Sequence, residues 1–272
     1  MTDLDSERQF YDSNYAQFLQ LPDHALRIDR AVLERNLANP KHPFYERRRL
    51  YRAAMLVLEA AAPPGVRVLD YGCGTADFGL WLATEGAQVT LLDLSPVAIE
   101  LGMRRAKASG VTVRGIAADA GKLPMLGDGE FDLVFACAAL HHTLKYPGAV
   151  AELARVMKPG AQLVLCETWG RNPFLNAARR LRARAAGEAD EQGEGIIMSR
   201  REMSALDADF SDLRVDHLNL LAMGKRMLRG RFRSGWARGI VRGLEAIDLA
   251  LLTIAPPLRE WCGEAVITAR RK

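Results

Sequence analysis

The sequence predicts an α/β fold, a mostly parallel seven-stranded sheet with helices on both faces. Three observations carry this. After Pro63-Pro64-Gly65, short apolar runs of strand length alternate with helical stretches, as parallel strands joined by crossover helices do. Those runs are apolar throughout rather than alternately polar, as strands buried on both faces must be. A glycine-rich turn, Gly72-Cys73-Gly74, joins the first strand to the helix after it. Within 272 residues, 49% are hydrophobic and 26% charged, so a sizeable core can form and global disorder is excluded.

The elements read in order as follows. Residues 6–62 show apolar positions at helical spacing, first in Phe10, Tyr11, Tyr15, Phe18 and Leu19, then in Leu50, Ala53, Ala54, Val57 and Leu58. Asn39-Pro40-Lys41-His42-Pro43 separates the two runs, because proline resists helix continuation. Residues 66–69, 89–92, 111–117, 131–136 and 162–166 read as strands one to five. Helices are expected over 78–83, from Ser95-Pro96 (serine at the N-cap, proline in the first turn), and over 149–157, with a turn at Lys158-Pro159-Gly160. Beyond Trp169 the pattern weakens. Residues 171–184 carry five arginines and no acid, 187–195 read as a glycine-rich polar loop, and Ser199 with Glu202 has capping-box spacing. Residues 213–218 and 265–269 read as closing strands. The expected organisation is an N-terminal helical cover (1–64), a ligand-binding core (65–168), and a third part (169–272) holding the last strands and lid-like insertions.

Charge and cysteines bound the function. The net charge of +4 is too small to imply nucleic acid by itself. Cys73, Cys137, Cys166 and Cys262 form no metal-ligand spacing and read as reduced, buried thiols. With no basic-then-apolar leader and no apolar run near ~20 residues, the expected location is cytoplasmic.

The informative stretch is VLDYGCGTAD, residues 68–77. Glycines let the turn tighten and bring a ligand close to the backbone, and the following helix offers unpaired N–H groups. Asp93 ends the second strand, 19 residues beyond Gly74, where an acid can accept hydrogen bonds from ribose hydroxyls. Asp119 follows the third strand, where a carboxylate can accept from an adenine amine. The fourth strand ends in small residues that leave room for a ligand. All these positions lie at the carboxyl ends of parallel strands, where open α/β sheets bind ligands.

Taken in order, VLDYGCGTAD, LLDLS (91–95), AAD (117–119), FDLVFACAALHH (131–142) and MKPGAQLVL (157–165) resemble the class I S-adenosylmethionine-dependent methyltransferases, which are Rossmann-like. The likeness is to the small-molecule branch that includes ubiquinone and menaquinone biosynthesis methyltransferases, and it covers residues 66–167. It implies S-adenosylmethionine as cofactor. The expected cofactor-binding residues are Asp70, Tyr71, Gly72, Cys73, Gly74, Asp93, Leu94, Asp119, Ala120 and Ala136. Among these, Gly72 and Gly74 would face the methionine portion, Asp70 would hold its amino group through water, and Ala136 would give a backbone contact. Many members carry a third glycine where this chain has Ala76, and a single methyl group predicts a small effect. A nicotinamide-dependent oxidoreductase would need glycine where Asp77 stands, and an acid there opposes a pyrophosphate.

Methyl transfer uses an already activated donor, so the protein mainly positions and desolvates the acceptor. His141 and His142, just past the fourth strand, are candidate general bases, not ranked against each other. An extended segment would point them in opposite directions. Glu167, at the end of the fifth strand, is a candidate for substrate binding at the mouth of the site. No metal is expected, because Ala136, Cys137 and Ala138 stand where catechol-type enzymes need carboxylates. The asparagine–proline pair of adenine- and amide-methylating enzymes is absent too, which argues against nucleic acid. The expected reaction is transfer of a methyl group to a small acceptor, aromatic or lipid-like, with oxygen favoured over nitrogen or carbon. The alternatives are a non-catalytic S-adenosylmethionine-binding regulator and a methyltransferase acting on nucleic acid.

Seven basic residues and no acid lie between Lys225 and Arg242, interleaved with Met227, Phe232 and Trp236, ahead of an apolar helical stretch over 244–255. Three readings compete: an added helical layer with a solvated basic face, a substrate lid or membrane-surface element spanning 225–255, and a contact for nucleic acid or an acidic substrate. The sequence leaves the oligomeric state open.

Overall fold

The structure is a computed structural model that describes residues 3–186 and 197–272. The loop expected at 187–195 lies outside the described residues. Helices α1 (Asp3–Ala16), α2 (Asp23–Leu26), α3 (Arg30–Ala38) and α4 (Arg48–Ala61) come first. Then follow β1 (Arg67–Tyr71), α5 (Asp77–Thr84), β2 (Gln88–Asp93), α6 (Pro96–Ser109), β3 (Arg114–Ala117) and β4 (Phe131–Cys137). Next come α7 (Leu140–Thr143), α8 (Ala149–Val156), β5 (Met157–Thr168) and α9 (Pro173–Ala186). The chain closes with α10 (Arg200–Met203), β6 (Phe210–Leu218), α11 (Gly235–Ile254) and β7 (Glu264–Arg271).

The seven strands form one sheet in the order β3-β2-β1-β4-β5-β7-β6, antiparallel only where β7 pairs with β5 and β6. This is the predicted fold class. Residue parity decides which face each side chain serves. Val68, Leu91, Leu133, Phe135 and Val164 pack with α3, α4 and α5, whereas Leu69, Leu92, Val134, Ala136 and Leu163 pack on the opposite face. Helix α4 buries Leu50, Tyr51, Ala54, Met55 and Leu58 at spacings of three and four, which seats it against the first face. Helix α6 begins as the sequence indicates: Ser95 Oγ accepts from the Ala98 N–H at 3.0 Å, with Pro96 beside it.

Several boundaries differ from expectation. The N-terminal region breaks at 21–22 and 27–29, on either side of α2, as well as at 39–47, and Asp29 caps α3 by accepting from the Val32 N–H. The third strand starts at Arg114, because Gly110 closes α6 in the left-handed region and the Val111 N–H still bonds to Ala106. Lys158-Pro159-Gly160 is not a separate turn. It lies within β5, where the register against β4 shifts between Phe131 and Leu133 and Gly160 takes φ +78°. Ser199 caps only one turn, and its Oγ accepts from the Arg201 N–H at 3.2 Å. The segment between β6 and β7 holds 3-10 turns at Leu221–Leu228 and Pro256–Trp261 around α11, which begins nine residues before the predicted apolar stretch at 244.

Candidate functional site

A cavity of about 240 Å³ opens at the carboxyl ends of β1, β2, β3 and β4. Its floor is the glycine-rich turn. Gly72, Gly74 and Ala76 all have positive φ, at +69°, +52° and +57°. A Cβ on Gly72 would stand 2.4 Å from the Ala139 Cβ, and one on Gly74 would stand 2.8 Å from the Tyr15 hydroxyl. Gly72 is therefore required by close approach as well as by backbone conformation, whereas at Gly74 the neighbour is the end of a tyrosine side chain and the positive φ makes the requirement. Asp93 holds the turn down: its Oδ2 accepts from the Gly74 N–H at 2.8 Å and its Oδ1 from the Ser95 N–H at 2.9 Å.

Asp70 is buried at the base of the cavity and accepts from the Gly79 N–H at 3.2 Å. Burial pushes its carboxyl up to about 7 against that hydrogen bond, and Asp93 and Asp77 push in the same direction as burial. A buried carboxyl with one hydrogen-bond donor and two acidic neighbours is a receptor for a cation. Asp119 lines the far end of the cavity with Leu94 and Ala120, its Oδ1 accepting from the Gly121 N–H at 2.9 Å. Tyr71 also borders the cavity, and its hydroxyl lies 3.1 Å from Ala120 O and 3.0 Å from Thr143 Oγ1, tying the loop after β3 to α7. Cys73 is part of the lining, and burial holds its thiol well above the ordinary range, so it stays protonated. Asp77 is ion-paired with Arg105 at 2.8 Å, so its charge at the start of α5 is largely met within the protein.

Three sequence expectations need correction. Ala136 does not line the cavity. Its parity turns it toward Val134 and Leu163 on the other face, and Phe135, Cys137 and Ala138 form that wall instead. Glu167 does not reach the mouth. It sits between β4 and β7 in the sheet, fully closed to solvent, with its Oε2 2.7 Å from His141 Nδ1. The two histidines do not point apart, because residues 140–143 form a helical turn rather than an extended segment, and the imidazole centroids lie 4.2 Å apart. Of the pair, His142 lines the cavity and His141 stands behind it, 8% exposed.

The fourth wall comes from α1. Leu4, Glu7, Tyr11 and Tyr15 follow at helical spacing and all face the cavity. Glu7 Oε1 lies 3.0 Å from His142 Nδ1, and the Tyr11 hydroxyl lies 3.2 Å from His142 Nε2. Because a carboxylate only accepts, Nδ1 carries the proton, and in the neutral ring Nε2 is left to accept from the Tyr11 hydroxyl. Burial, with Glu7 and Asp93, pushes the Tyr11 phenol up to about 12, so it remains a donor. The sequence marked Tyr11 and Tyr15 as apolar positions of an N-terminal helical cover but missed Glu7, whose place one turn before Tyr11 was the available signal. Phe10 faces outward. Sequence reasoning also missed the aromatic lobe of Phe44, Tyr51, Phe78 and Phe135, whose neighbouring rings lie 5.0–6.5 Å apart.

The ordered motifs, the strand order and this cavity are similar to those of class I S-adenosylmethionine-dependent methyltransferase domains, whose cofactor is S-adenosylmethionine. Residues 68–160 match the family described as a methyltransferase domain. The chain is similar to a demethylmenaquinone methyltransferase of Thermus thermophilus, 39% identical over 118 residues, which are 43% of this chain and 52% of that protein. The chain spans about half the length of such curated relatives. Among solved structures, the [4+2]-cyclase SpnF aligns with TM-score 0.53 and 25% identity, covering 80% of this chain and 79% of that one. A phosphoethanolamine N-methyltransferase of Haemonchus contortus, in complex with phosphomonomethylethanolamine and S-adenosylhomocysteine, aligns with TM-score 0.56 and 18% identity, over 82% of this chain and 52% of that one. At that identity the likeness is one of fold.

Among the described residues, no group of three or more His, Cys, Asp or Glu side chains is placed to hold a metal ion. No helix among them is long and apolar enough to cross a membrane.

Proposed function

We propose that this protein binds S-adenosylmethionine in the cavity at the strand ends and transfers its methyl group to a small, aromatic or lipid-like acceptor, at oxygen in preference to nitrogen or carbon. The observation that carries this reading is the Glu7–His142–Tyr11 hydrogen-bond chain on the cavity wall, opposite the glycine turn. When bound, the cofactor supplies a methyl group activated by a positive sulfonium.

The chain's own residues do the rest. Asp70 offers its carboxylate to the cationic end of the ligand, Asp93 has lone pairs left for ribose hydroxyls, and Asp119 faces the adenine position. Tyr11 and Tyr15 close the cavity from α1 and exclude water, which strengthens every charge interaction inside. Glu7 orients His142 so that Nε2 can take a proton from an acceptor hydroxyl, either directly or through Tyr11. Such a base has most to do for an oxygen nucleophile, because an amine is already nucleophilic. Phe44, Tyr51, Phe78 and Phe135 offer ring surfaces to a flat apolar acceptor.

A second reading keeps the cofactor and drops the methyl transfer. The neighbouring fold of a [4+2]-cyclase supports it, since fold alone does not set the reaction. Calorimetric titration with S-adenosylmethionine, followed by turnover assays on a panel of phenols, quinols and amines, separates the two. Cofactor binding with methylated phenol or quinol supports the proposal. Binding without turnover on any acceptor supports the second reading, and absence of binding overturns both.

A further inference from the structure

We infer that helix α11 seats this protein on an anionic membrane surface. Trp236, Ile240, Ile247 and Ile254 are 54%, 47%, 48% and 82% exposed. Successive offsets of 4, 11 and 18 residues from Trp236 place them within about 40° of one another around the helix, in a stripe about 27 Å long. Only Gly243 and Ala250 fall between them on that line, so no polar side chain interrupts it. Ala237, Val241 and Asp248 are buried about 100° around the helix from that stripe, so the helix is docked along one flank and the stripe lies outside that contact.

The charges choose the occupant. Both acids of α11 are spent inward: Asp248 accepts from the Leu220, Leu221 and Ala222 N–H groups, and Glu245 pairs with Arg48. Arg231 and Arg233, just before α11, and Arg242 within it are exposed, and their side chains make no ion pair among the described residues. An apolar stripe with a tryptophan at one end, Arg231 and Arg233 just ahead of that end and Arg242 farther around the exposed surface matches the interfacial zone of an anionic bilayer. A second copy of the chain would bring the same unpaired arginines to the seam, where like charges repel. The placement is also apt. β6 runs parallel to β5, so the segment that carries α11 leaves from the carboxyl edge of the sheet, the edge on which the cavity opens. An acceptor dissolved in the bilayer would be met on that side. This last point rests on the proposed function, whereas the surface itself does not.

Co-sedimentation of the full chain with vesicles tests the inference without any turnover assay. The protein should pellet with vesicles of phosphatidylcholine and phosphatidylglycerol at low salt, and much less with phosphatidylcholine alone. Replacing Arg231, Arg233 and Arg242 together by Ser should reduce the anionic partition on the order of 100-fold, since each arginine near such a surface contributes about one kcal/mol. Trp236→Ser with Ile240→Ser and Ile247→Ser should abolish binding while the thermal transition is kept, because all three side chains are at the surface. Three results overturn the inference: no recovery on anionic vesicles, recovery that the apolar triple variant leaves unchanged, or a dimer by light scattering that the same variant dissolves while vesicles never bind.

Discussion

Glu167 Oε2 lies 2.7 Å from His141 Nδ1, fully shielded from solvent, and the His141 ring lies against that of His142. The carboxylate accepts from Nδ1 and so fixes the ring that backs the residue on the cavity wall, as buried carboxylates orient imidazoles elsewhere. In the proposed reaction His142 is the base, and His141 with Glu167 its positioning pair. His142→Ala should lower kcat by about 10²–10³-fold with little change in cofactor affinity. Glu167→Gln should cost about tenfold and shift the pH–rate profile, which a purely structural role would leave in place. Steady-state kinetics beside calorimetric cofactor titration checks both.

On the proposed role of Asp70, cofactor affinity should depend on pH. Its folded-state carboxyl titrates at about 7, above its ordinary value of 3.8. The folded chain therefore keeps a proton that the unfolded chain releases, and the empty protein loses stability as pH rises from about 4 to 7, on the order of 4 kcal/mol in total. A cationic ligand binds the ionised form. Affinity for S-adenosylmethionine should rise by up to about tenfold per pH unit up to about pH 7 and level off above it. Asp70→Asn should raise the melting temperature of the empty protein at about pH 8 while weakening cofactor binding at least about tenfold and flattening its pH dependence. Opposite signs in the two measurements are the signature of this carboxyl.

Lys225 is fully buried, with its ammonium 2.9 Å from Glu264 Oε2, and Asn219 and Arg47 reach the same carboxylate. Burial alone would raise the Glu264 carboxyl; Lys225 and Arg47 outweigh it and bring it down to about 2. Its stabilising contribution is present above the ordinary value of 4.5 and is lost as pH falls from there toward about 2. Lys225→Met should cost about 3 kcal/mol at neutral pH. Part of that loss should vanish as pH falls toward about 2, where the native carboxyl begins to take up the proton that the variant's already holds. Urea melts across that range measure it.

Two substitutions in the glycine turn should behave differently although their backbone angles are similar. Ala76→Gly relieves a left-handed alanine, worth about 1–2 kcal/mol, but removes a buried methyl group and adds unfolded-state freedom, together about as much. The melting temperature should move by only a few degrees. Gly72→Ala adds a left-handed Cβ and a clash with Ala139, so it should destabilise by about 2 kcal/mol or more and abolish cofactor binding. Thermal melts and calorimetry on the two variants decide the matter.

The sequence by itself determined the sheet, the glycine turn, and the places of Asp70, Asp93 and Asp119, because each is written in local periodicity and in motifs whose order along the chain matches their order in the fold. Tertiary structure alone decided the wall facing them. Tyr11 and His142 meet across 131 residues, His141 and Glu167 across 26, and Glu245 reaches Arg48 across 197. Pairing over such distances leaves no local trace, since it depends on how helices are seated against the sheet rather than on neighbours in the chain. One residue of parity turned Ala136 away from the cavity, and one helical turn brought two histidine rings together that an extended segment would have parted. The basic segment divided in the same way. Its composition was visible from the start, but only packing could bury Lys225 against Glu264 and leave Arg231, Arg233 and Arg242 in solvent, because burial of a charge is set by whether a counter-charge is already waiting there.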